Sequence, residues 1–305
     1  MTPAPAPGAD GPARDAAQRP VAFVVVGSAN FDIVLGLGRL PRPHEKIRAA
    51  RSTTGPGGAG ANTAVWLARL GREVTLVTAV GEDLLGEATR AGLVAEGVDT
   101  RFVGRIGGGS TGVAVVLSDG SAKRMVTTGG PPLDDAIDAL PRSLFSPGVH
   151  LHVAGQERGA ATILCREARE RGATVSVEAN GRVVDGLVPY ADLILVNADE
   201  LRSLTGPGRS GVPARARRLL GAGHGTVVVT RGAAGAVAVS ATGTVTAHAQ
   251  PVTVVDRTGG GDAFDAGFLD VWTGNGDLGR ALEAGLALAA DVLGHVGARP
   301  PLPGR

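Results

Sequence analysis

The amino-acid sequence predicts an α/β protein in which helices cover both faces of a mostly parallel sheet. The first observation is that apolar, β-branched runs alternate with helix-like segments of about ten residues, as in strand–helix–strand crossover units. The second is that several of these helix-like segments stop at a glycine. The third is that two segments carry no helix, so we expect them to form a small antiparallel flap beside the main sheet.

The apolar run Val21–Val26 ends at Gly27 and predicts a buried first strand. Asn62–Leu70 is apolar nearly all round and stops at Gly71, which predicts a buried helix. Further strands are expected at Val74–Val77, Leu151–Val153, Val175–Val177, Leu193–Val196 and Thr226–Val229, and further helices at Glu87–Glu96 (closed by Gly97), Ile163–Arg171 (closed by Gly172), Asp199–Leu204, Ala263–Trp272 and Leu278–Leu293.

The chain is expected to form one domain over residues 21–305. Residues 1–20 are rich in proline and alanine and hold no continuous apolar stretch, so a disordered tail is favoured over a signal peptide. The flap is expected to draw its strands from about 33–55 and 101–128, because these stretches carry short polar or alternating segments without a helix.

Two hairpins are predicted from alternation at period two. Gly112–Thr127 alternates around a turn at Ser118-Asp119-Gly120 and belongs to the expected flap. Gly232–Val255 carries no charged residue, but it alternates around Ala241-Thr242-Gly243 and is rich in glycine, serine and threonine. A buried hairpin is therefore favoured over a transmembrane helix.

The overall composition argues against several classes of partner. Thirty basic residues against 29 acidic ones leave a net charge of +1, so we expect no nucleic-acid partner and no membrane partner. Aromatic residues make up only 3%, which argues against a stacking platform for single-stranded nucleic acid. The single cysteine, Cys165, excludes a disulfide framework and fits a cytoplasmic protein.

The most informative loop is Asp256–Phe264, with the sequence DRTGGGDAF. Three successive glycines let the backbone approach a ligand and turn several N–H groups toward one point. An apolar-periodic helix begins directly afterwards, and a helix N-terminus favours an anion. Asp262 in the first turn has two interpretations: an ordinary helix cap, or a base that deprotonates a hydroxyl attacking phosphorus.

Three other loops also lie at the ends of predicted elements. Gly57–Asn62 precedes a helix and is either a ligand loop or a glycine-rich turn capped by Asn62. Asn197–Glu200 follows a strand end, where open α/β sheets bind ligands, although a plain capping box is favoured for it alone. Thr230–Gly235 follows another strand end.

Two histidines, His150 and His152, share one face of a predicted strand. No third metal ligand is expected nearby, so a plain strand is favoured over a metal site. Cys165 falls inside a predicted helix and is expected to pack in the core.

The four loops, in this order, resemble the ribokinase-like (PfkB-type) carbohydrate kinase family from Val21 to Pro300. Asp256–Asp262 resembles the family's C-terminal motif Asp-Thr-x-Gly-Ala-Gly-Asp, and Gly57–Asn62 resembles its N-terminal motif Gly-Gly-x-Gly-Ala-Asn. Gly27–Asp32 is similar to the opening strand and sugar-binding turn of the family. The resemblance implies a three-layer α/β/α sandwich with a small β lid, and ATP-dependent phosphorylation of a primary hydroxyl of a sugar or sugar-like molecule. A lid suits this chemistry because it excludes water from the transfer.

The resemblance also implies a role for each residue of the motifs. Asp262 corresponds to the catalytic base, and the amides of Gly259, Gly260, Gly261 and Asp262 correspond to the anion hole. The sugar-binding positions of the family correspond to Asn30, Asp32, Gly57, Gly58 and Asn62, and the nucleotide-binding positions correspond to Asn197, Thr230, Gly232 and Gly235. Glu200 corresponds to a position that holds Mg²⁺ through water. The positions near a monovalent-cation site for K⁺ correspond to Asp256 and Thr258. The implied partners are ATP, Mg²⁺, a small-molecule sugar and a second copy of the chain, paired through the lid.

Several residues depart from the family pattern. Gly260 replaces an alanine without removing a donor, and Arg257 replaces a frequent threonine near the cation site. Ala59 stands where ribokinases proper often have lysine, so ribose in particular is not implied. Glu178-Ala179-Asn180 replaces Asp-Pro-Asn, and Leu286 stands where many members place an asparagine near the adenine.

Other functions stay open at this point. A nucleoside kinase or a 2-keto-3-deoxygluconate kinase on the same fold is the nearest alternative. A non-catalytic sugar or nucleotide sensor is a second, and Asp262 argues against it because a binding protein needs no carboxylate facing an anion hole. A dehydrogenase is a third, disfavoured because the Gly-x-Gly-x-x-Gly patterns at Gly55–Gly60 and Gly107–Gly112 do not link a predicted strand to a helix.

Overall fold

In the residues that it describes, the structure, a computed structural model, contains a nine-stranded sheet and a four-stranded sheet. It describes residues 22–119, 123–155, 159–179, 186–220 and 225–301, and the predicted tail at 1–20 lies outside them. The strands in these residues are β1 Ala22–Gly27, β2 Asn30–Gly36, β3 Arg51–Gly57, β4 Glu73–Gly81, β5 Asp99–Ile106, β6 Gly112–Ser118, β7 Lys123–Thr127, β8 Val149–Ala154, β9 Thr174–Glu178, β10 Leu193–Asn197, β11 Thr226–Thr230, β12 Ala236–Ser240 and β13 Gly243–Ala247.

Helices cover both faces of the large sheet. One core cluster joins the sheet to α3, α4, α5 and α6, and a second joins it to α1, α2, α7 and α8. This arrangement confirms the predicted three-layer α/β/α sandwich with a mostly parallel sheet. The helices of the described residues are α1 Ala59–Arg69, α2 Leu84–Ala95, α3 Asp134–Asp138, α4 Ala160–Glu170, α5 Ala198–Thr205, α6 Val212–Leu220, α7 Gly260–Asn275 and α8 Leu278–Leu293.

Strand β1 is buried on both of its faces, which explains why its sequence is apolar throughout. Phe23 and Val25 of β1 belong to the cluster on the α7 and α8 side, whereas Val24 and Val26 belong to the cluster on the opposite side. Successive side chains of a strand point to opposite faces, so a strand buried on both faces needs an unbroken apolar run.

The order of strands places a ligand site next to β1. The large sheet runs β13-β12-β11-β10-β9-β8-β1-β4-β5, and all its pairs are parallel except β11–β12 and β12–β13. The chain passes from β1 to β4 and β5 on one side and later returns to β8 on the other. Strand order therefore reverses at β1, and ligands of open α/β sheets bind at the carboxyl ends of the strands beside such a reversal.

The small sheet has the order β3-β2-β6-β7, and β6 and β7 form the predicted hairpin. The expected flap range differs at residues 101–106, which lie in β5 at the edge of the large sheet, parallel to β4. Val103 is buried in one core cluster and Phe102 packs against the other, which holds this segment in the large sheet despite its exposed arginines.

The hairpin β12–β13 was expected to be buried, and this holds for one strand only. The residues of β12 are almost all buried, whereas Thr244, Val245 and Thr246 of the edge strand β13 are exposed. No helix in the described ranges has the length and apolar character that a membrane crossing requires.

Candidate active site

The loop before α7 is shaped to hold an anion. Gly259 has a left-handed backbone, with φ of 76°, and a side chain there would overlap Ala298. Because α7 begins at Gly260, the amides of its first residues have no acceptor inside the helix. A Cβ on Gly261 would meet no atom within 4 Å, so the space over this turn is open. The turn thus offers several N–H groups and the positive end of a helix to a ligand.

Asp262 lies in this turn and contacts the other glycine loop. Nδ2 of Asn62, in α1, donates to Oδ2 of Asp262 at 2.6 Å. Oδ1 of Asn62 accepts from Nε of Arg299 at 2.8 Å. Arginine has no acceptor and an ionised carboxylate has no donor, so these two partners fix which end of the Asn62 amide faces Asp262. The structure therefore brings together two residues that lie 200 positions apart in the sequence.

The small sheet contributes Asn30 and Asp32 from β2. Gly57, at the end of the neighbouring β3, lies under the Asp32 carboxylate, and a side chain at Gly57 would overlap that carboxylate. Glycine at position 57 is thus required by the close approach of the acid. Oδ1 of Asn30 lies against Gly112 of β6 in the same way. Gly58, the residue before α1, follows directly and has φ of 94°.

Arg299 is a residue of the site that the sequence did not indicate. Its neighbours tie the segment Gly297–Pro300 to α1: the Ala298 carbonyl accepts from Nε1 of Trp66 at 3.0 Å, and the Pro300 carbonyl accepts from Nη1 of Arg69 at 2.7 Å. Burial lowers the pKa of Arg299 to about 10, although the nearby carboxylates of Asp32, Glu96 and Asp262 act in the opposite direction. A single arginine in a Gly/Pro-rich stretch gives no periodicity or motif by which sequence analysis could find it.

The residues expected at the nucleotide lie at the ends of β10 and β11, where Asn197 pairs with Thr230. Asn197 caps α5, since its Oδ1 accepts from the amides of Asp199 and Glu200, both at 2.9 Å. Oε2 of Glu200 accepts in return from the Asn197 amide at 2.9 Å, which completes the predicted capping box. Gly232 and Gly235 follow in the turn between β11 and β12.

Asp256 and Thr258 are buried and hold the shape of the glycine loop. Oδ1 of Asp256 accepts from the amide and the hydroxyl of Thr258, at 3.1 and 2.9 Å. Oδ2 accepts from the amide of Gly297 at 2.9 Å, which links the loop to the segment that carries Arg299. Both carboxylate oxygens of Asp256 thus have donors from the protein.

The expectation that no further metal ligand lies near the two histidines is wrong for His152. Glu178 and Asp265 lie beside it, with one donor atom of each residue within 4.8 Å of the others. Both acids were out of reach of sequence analysis, because β8, β9 and α7 meet only in the folded chain. Burial, together with the charges of Asp262 and Glu200, raises the pKa of Glu178 to about 8. Burial and the charges of Glu178, Asp262 and Glu200 also raise the pKa of Asp265 well above its usual value.

The comparisons with known proteins agree with this geometry. A family model described as pfkB family carbohydrate kinase matches residues 22–305. An ATP-dependent ribose-1-phosphate kinase of Halopiger xanaduensis is 30% identical over 285 residues, which cover 92% of this chain and 94% of that protein. A ribokinase of Haemophilus influenzae is 29% identical over 304 residues, covering 93% of this chain and 95% of that protein.

Solved structures show the same relationship. The ribokinase of Thermotoga maritima has a TM-score of 0.78 at 25% identity, over 91% of this chain and 94% of that one. An aminoimidazole riboside kinase of Salmonella enterica, solved with aminoimidazole riboside and an ATP analogue, has a TM-score of 0.74 at 26% identity, over 91% and 95% of the two chains. The chain therefore belongs to the pfkB family of carbohydrate kinases, ATP-dependent phosphotransferases.

Proposed function

We propose that this kinase transfers the γ-phosphoryl group of ATP to a primary hydroxyl of a sugar or sugar-like molecule, with Asp262 as the base. The position of Asp262 carries the proposal: it lies in the first turn of α7, and its carboxylate contacts Asn62 of the second glycine loop. A carboxylate repels a phosphate bound beside it. Removal of a proton from the attacking hydroxyl by this carboxylate would explain the otherwise unfavourable placement.

In the proposed mechanism, the protein removes a proton, stabilises negative charge on the transferring group and holds the base in position. Asp262 takes the proton of the substrate hydroxyl as its oxygen attacks phosphorus, a role that typically contributes about 10²–10⁴-fold in rate. The amides of Gly259, Gly260, Gly261 and Asp262 donate to the oxygens of the transferring group, where negative charge is spread in the transition state. Asn62 holds the carboxylate in place through its Nδ2.

On the sugar side, Asp32 would accept hydrogen bonds from two hydroxyls of the substrate. Its carboxylate lies over Gly57 and interacts with the charge of Arg299, and a carboxylate accepts strong hydrogen bonds from hydroxyls. Asn30, Gly58 and the second N–H of Asn62 complete the proposed sugar contacts. The small sheet that carries Asp32 and Asn30 would act as the lid.

On the nucleotide side, Asn197, Thr230, Gly232 and Gly235 would line the ATP site at the ends of β10 and β11. Glu200 fits a site for Mg²⁺ held through water, because it is only partly buried and lies close enough to Glu178 and Asp265 to raise their pKa values. When bound, Mg²⁺ neutralises charge that develops on the phosphates. Asp256 and Thr258 are less suited to K⁺ through their side chains, because these already bond to each other and Asp256 also bonds to Gly297.

The acceptor is proposed from the names of the relatives. They include a ribose-1-phosphate kinase, a deoxyribokinase, a fructokinase and a nucleoside kinase. A five-carbon sugar or its derivative is the first class to test, and a nucleoside or 2-keto-3-deoxygluconate is the alternative. Ribose, ribose-1-phosphate, fructose, 2-keto-3-deoxygluconate, adenosine and cytidine should be offered with ATP, and ADP release should be measured.

Asp262→Asn tests the base within the same assay. The variant keeps the size of the side chain but loses its proton affinity, so turnover should fall by roughly 100-fold or more while ATP binding persists. Near wild-type turnover in Asp262→Asn would refute the assignment. A wild-type chain that binds sugar and ATP but releases no ADP would identify a sensor instead.

A further inference from the structure

A second group of titratable side chains lies in the core beneath the proposed active site. It consists of His152 in β8, Glu178 at the end of β9 and Asp265 in α7, one turn after Asp262. One donor atom from each residue lies within 4.8 Å of the other two. Donor atoms around a single cation, at about 2.0–2.2 Å from it, are separated by about 3–4 Å. Small side-chain movements therefore suffice to place a cation between them.

The three residues also share buried atoms without partners. Nε2 of His152, Oε2 of Glu178 and Oδ2 of Asp265 are each buried and make no hydrogen bond within the described residues. His152 is 0% exposed and Asp265 is 4% exposed. A buried polar atom without a partner costs free energy, and most native structures contain few. Three residues that each keep such an atom, and that each place a donor atom within 4.8 Å of the other two, indicate a ligand that accepts lone pairs.

The second ring nitrogen of His152 is already positioned. Its Nδ1 lies 2.8 Å from the hydroxyl oxygen of Ser176, and that oxygen lies 2.7 Å from Nε2 of His150. Nδ1 of His150 in turn lies 2.6 Å from the hydroxyl oxygen of Thr174. In the tautomer in which Nδ1 of His152 donates to Ser176, the lone pair of Nε2 points away from that chain of hydrogen bonds. Metal-bound histidines are oriented in this way by a partner on the other nitrogen.

We propose that His152, Glu178 and Asp265 bind one divalent first-row transition cation, Mn²⁺ or Zn²⁺, beneath the phosphoryl-transfer site. One imidazole nitrogen and two carboxylate oxygens suit such an ion, whereas Mg²⁺ prefers oxygen ligands and keeps several of its waters. The cation would join β8 and β9 to the first turns of α7, and so hold the helix that carries Asp262. This site is separate from the one proposed for Mg²⁺ and ATP, and it does not depend on the proposed function.

Charge at the cluster supports the same assignment. Burial lowers the pKa of His152 to about 3, so the imidazole is neutral and its lone pair is available to a metal. Without a cation, burial and the neighbouring negative charges raise the pKa values of both acids and favour their protonated forms, which is the competing explanation for the cluster. Binding of the cation would release these protons.

The test uses the full chain, stripped of metal with EDTA and free of nucleotide. Mn²⁺ is added and its binding is followed by electron paramagnetic resonance, with parallel Zn²⁺ and Mg²⁺ titrations by calorimetry. We expect one Mn²⁺ or Zn²⁺ per chain, a rise in melting temperature on binding, and at least tenfold weaker binding of Mg²⁺. Asp265→Asn and His152→Gln should weaken Mn²⁺ binding by at least tenfold, while the matched carboxylate variant Glu200→Gln should retain it.

Three results would overturn the proposal. They are the absence of Mn²⁺ and Zn²⁺ binding, equal binding by Asp265→Asn and the wild type, and loss of binding in Glu200→Gln alone. If the substitutions at the buried residues prevent folding, the wild-type protein alone still tests the proposal through the spectrum of its bound Mn²⁺. Bound Mn²⁺ should show ¹⁴N hyperfine coupling that changes when the histidines carry ¹⁵N, and an all-oxygen signal would contradict a His152 ligand.

Discussion

Glu200 has one function that the structure shows and one that stays a prediction. Its carboxylate accepts from the Asn197 amide and completes the cap of α5. Glutamine can fill the same position of a capping box, so Glu200→Gln separates the cap from the charge. We expect this variant to need a higher Mg²⁺ concentration for half-maximal rate, while its melting temperature changes little.

Asp199 provides the control for Glu200, because it lies in the same turn and is exposed. Asp199→Asn should leave the Mg²⁺ dependence as it is in the wild type. A Glu200→Gln enzyme whose Mg²⁺ titration coincides with that of the wild type would remove the metal role and leave only the cap.

At the residue scale, local motifs were sufficient for one part of the site and not for the other. Asn62 and Asp262 could be predicted because each ends a glycine motif at the start of a helix, and the structure brings them into contact. Arg299 could not be predicted as a neighbour of these loops, because it contacts Asn62 from 237 positions away and no motif marks it. Glu178 and Asp265 lie in or beside segments compared with the family pattern, but their contact with His152 arises only when β8, β9 and α7 meet in the folded chain.

Among the elements, α2 is capped by Asp83, whose carboxylate accepts three hydrogen bonds. Oδ1 of Asp83 accepts from the Gly86 amide at 2.8 Å and from the Thr111 hydroxyl at 2.7 Å, and Oδ2 accepts from the Thr111 amide at 2.9 Å. The cap thus joins α2 to the start of β6. Asp83→Asn should lower the free energy of unfolding by about 1–2 kcal/mol at neutral pH.

The effect of Asp83 should depend on pH in one direction. The hydrogen bonds from Thr111 and Gly86 hold the pKa of Asp83 below its usual value. An acid with a lowered pKa in the folded state stabilises the protein above its unfolded pKa, and this stabilisation is lost as pH falls through the folded pKa. Urea unfolding at pH 7 and at pH 3 should therefore show a smaller difference between wild type and Asp83→Asn at the lower pH. Asp277 caps α8 by accepting from the Arg280 amide. Asp277→Asn should therefore lower the free energy of unfolding by less than Asp83→Asn does, and an equal decrease would contradict this account.

The loop between α5 and α6 depends on a buried arginine. Arg215 is 5% exposed and donates to the carbonyls of Ser210 and Gly206, at 3.0 and 2.7 Å, to the hydroxyl of Thr205 at 2.8 Å and to the Gly208 carbonyl. Arg215→Ala would remove a buried side chain and its four hydrogen bonds to this partly exposed loop, so we expect a loss of about 1–3 kcal/mol in unfolding free energy. Arg217→Ala, on the exposed face of the same helix, should cost less than about 0.5 kcal/mol. Similar costs for the two variants would show that the buried network contributes little.

Helix α6 shows a limit of predicting the bounds of elements from sequence. Arg217 and Arg218 were interpreted as a solvated helix face, but the bounds of α6 were not predicted, because Pro213 and three arginines interrupt the apolar period over Val212–Leu220. α7 was predicted to begin at Ala263, but it begins at Gly260, since its first turn has no apolar residue and is defined by backbone alone. Strands buried on both faces, such as β1, were predicted nearly to their ends because burial demands an apolar run.

For the molecule as a whole, the expected homodimer through the small sheet stays a prediction. Met125 and Val126 of the edge strand β7 are 56% and 71% exposed, which is unusual for apolar side chains at a sheet edge. We expect sedimentation velocity to show a dimer that Val126→Asp dissociates. Ile163→Asp, an equally charged change on α4, should leave the dimer intact. A monomeric wild-type chain would contradict the prediction.

The hydrogen bond between Asn62 and Asp262 also has a consequence for how the protein folds. It closes a loop of 200 residues, and the segment Gly297–Pro300 closes still longer ones onto α1. Contacts of such sequence separation form slowly, because the loop-closure entropy is lost before the contact can compensate for it. During refolding, the large sheet can therefore regain its strands before enzymatic activity returns. Recovery of activity should lag behind recovery of the secondary-structure signal, so that activity reports the last step of assembly rather than the first.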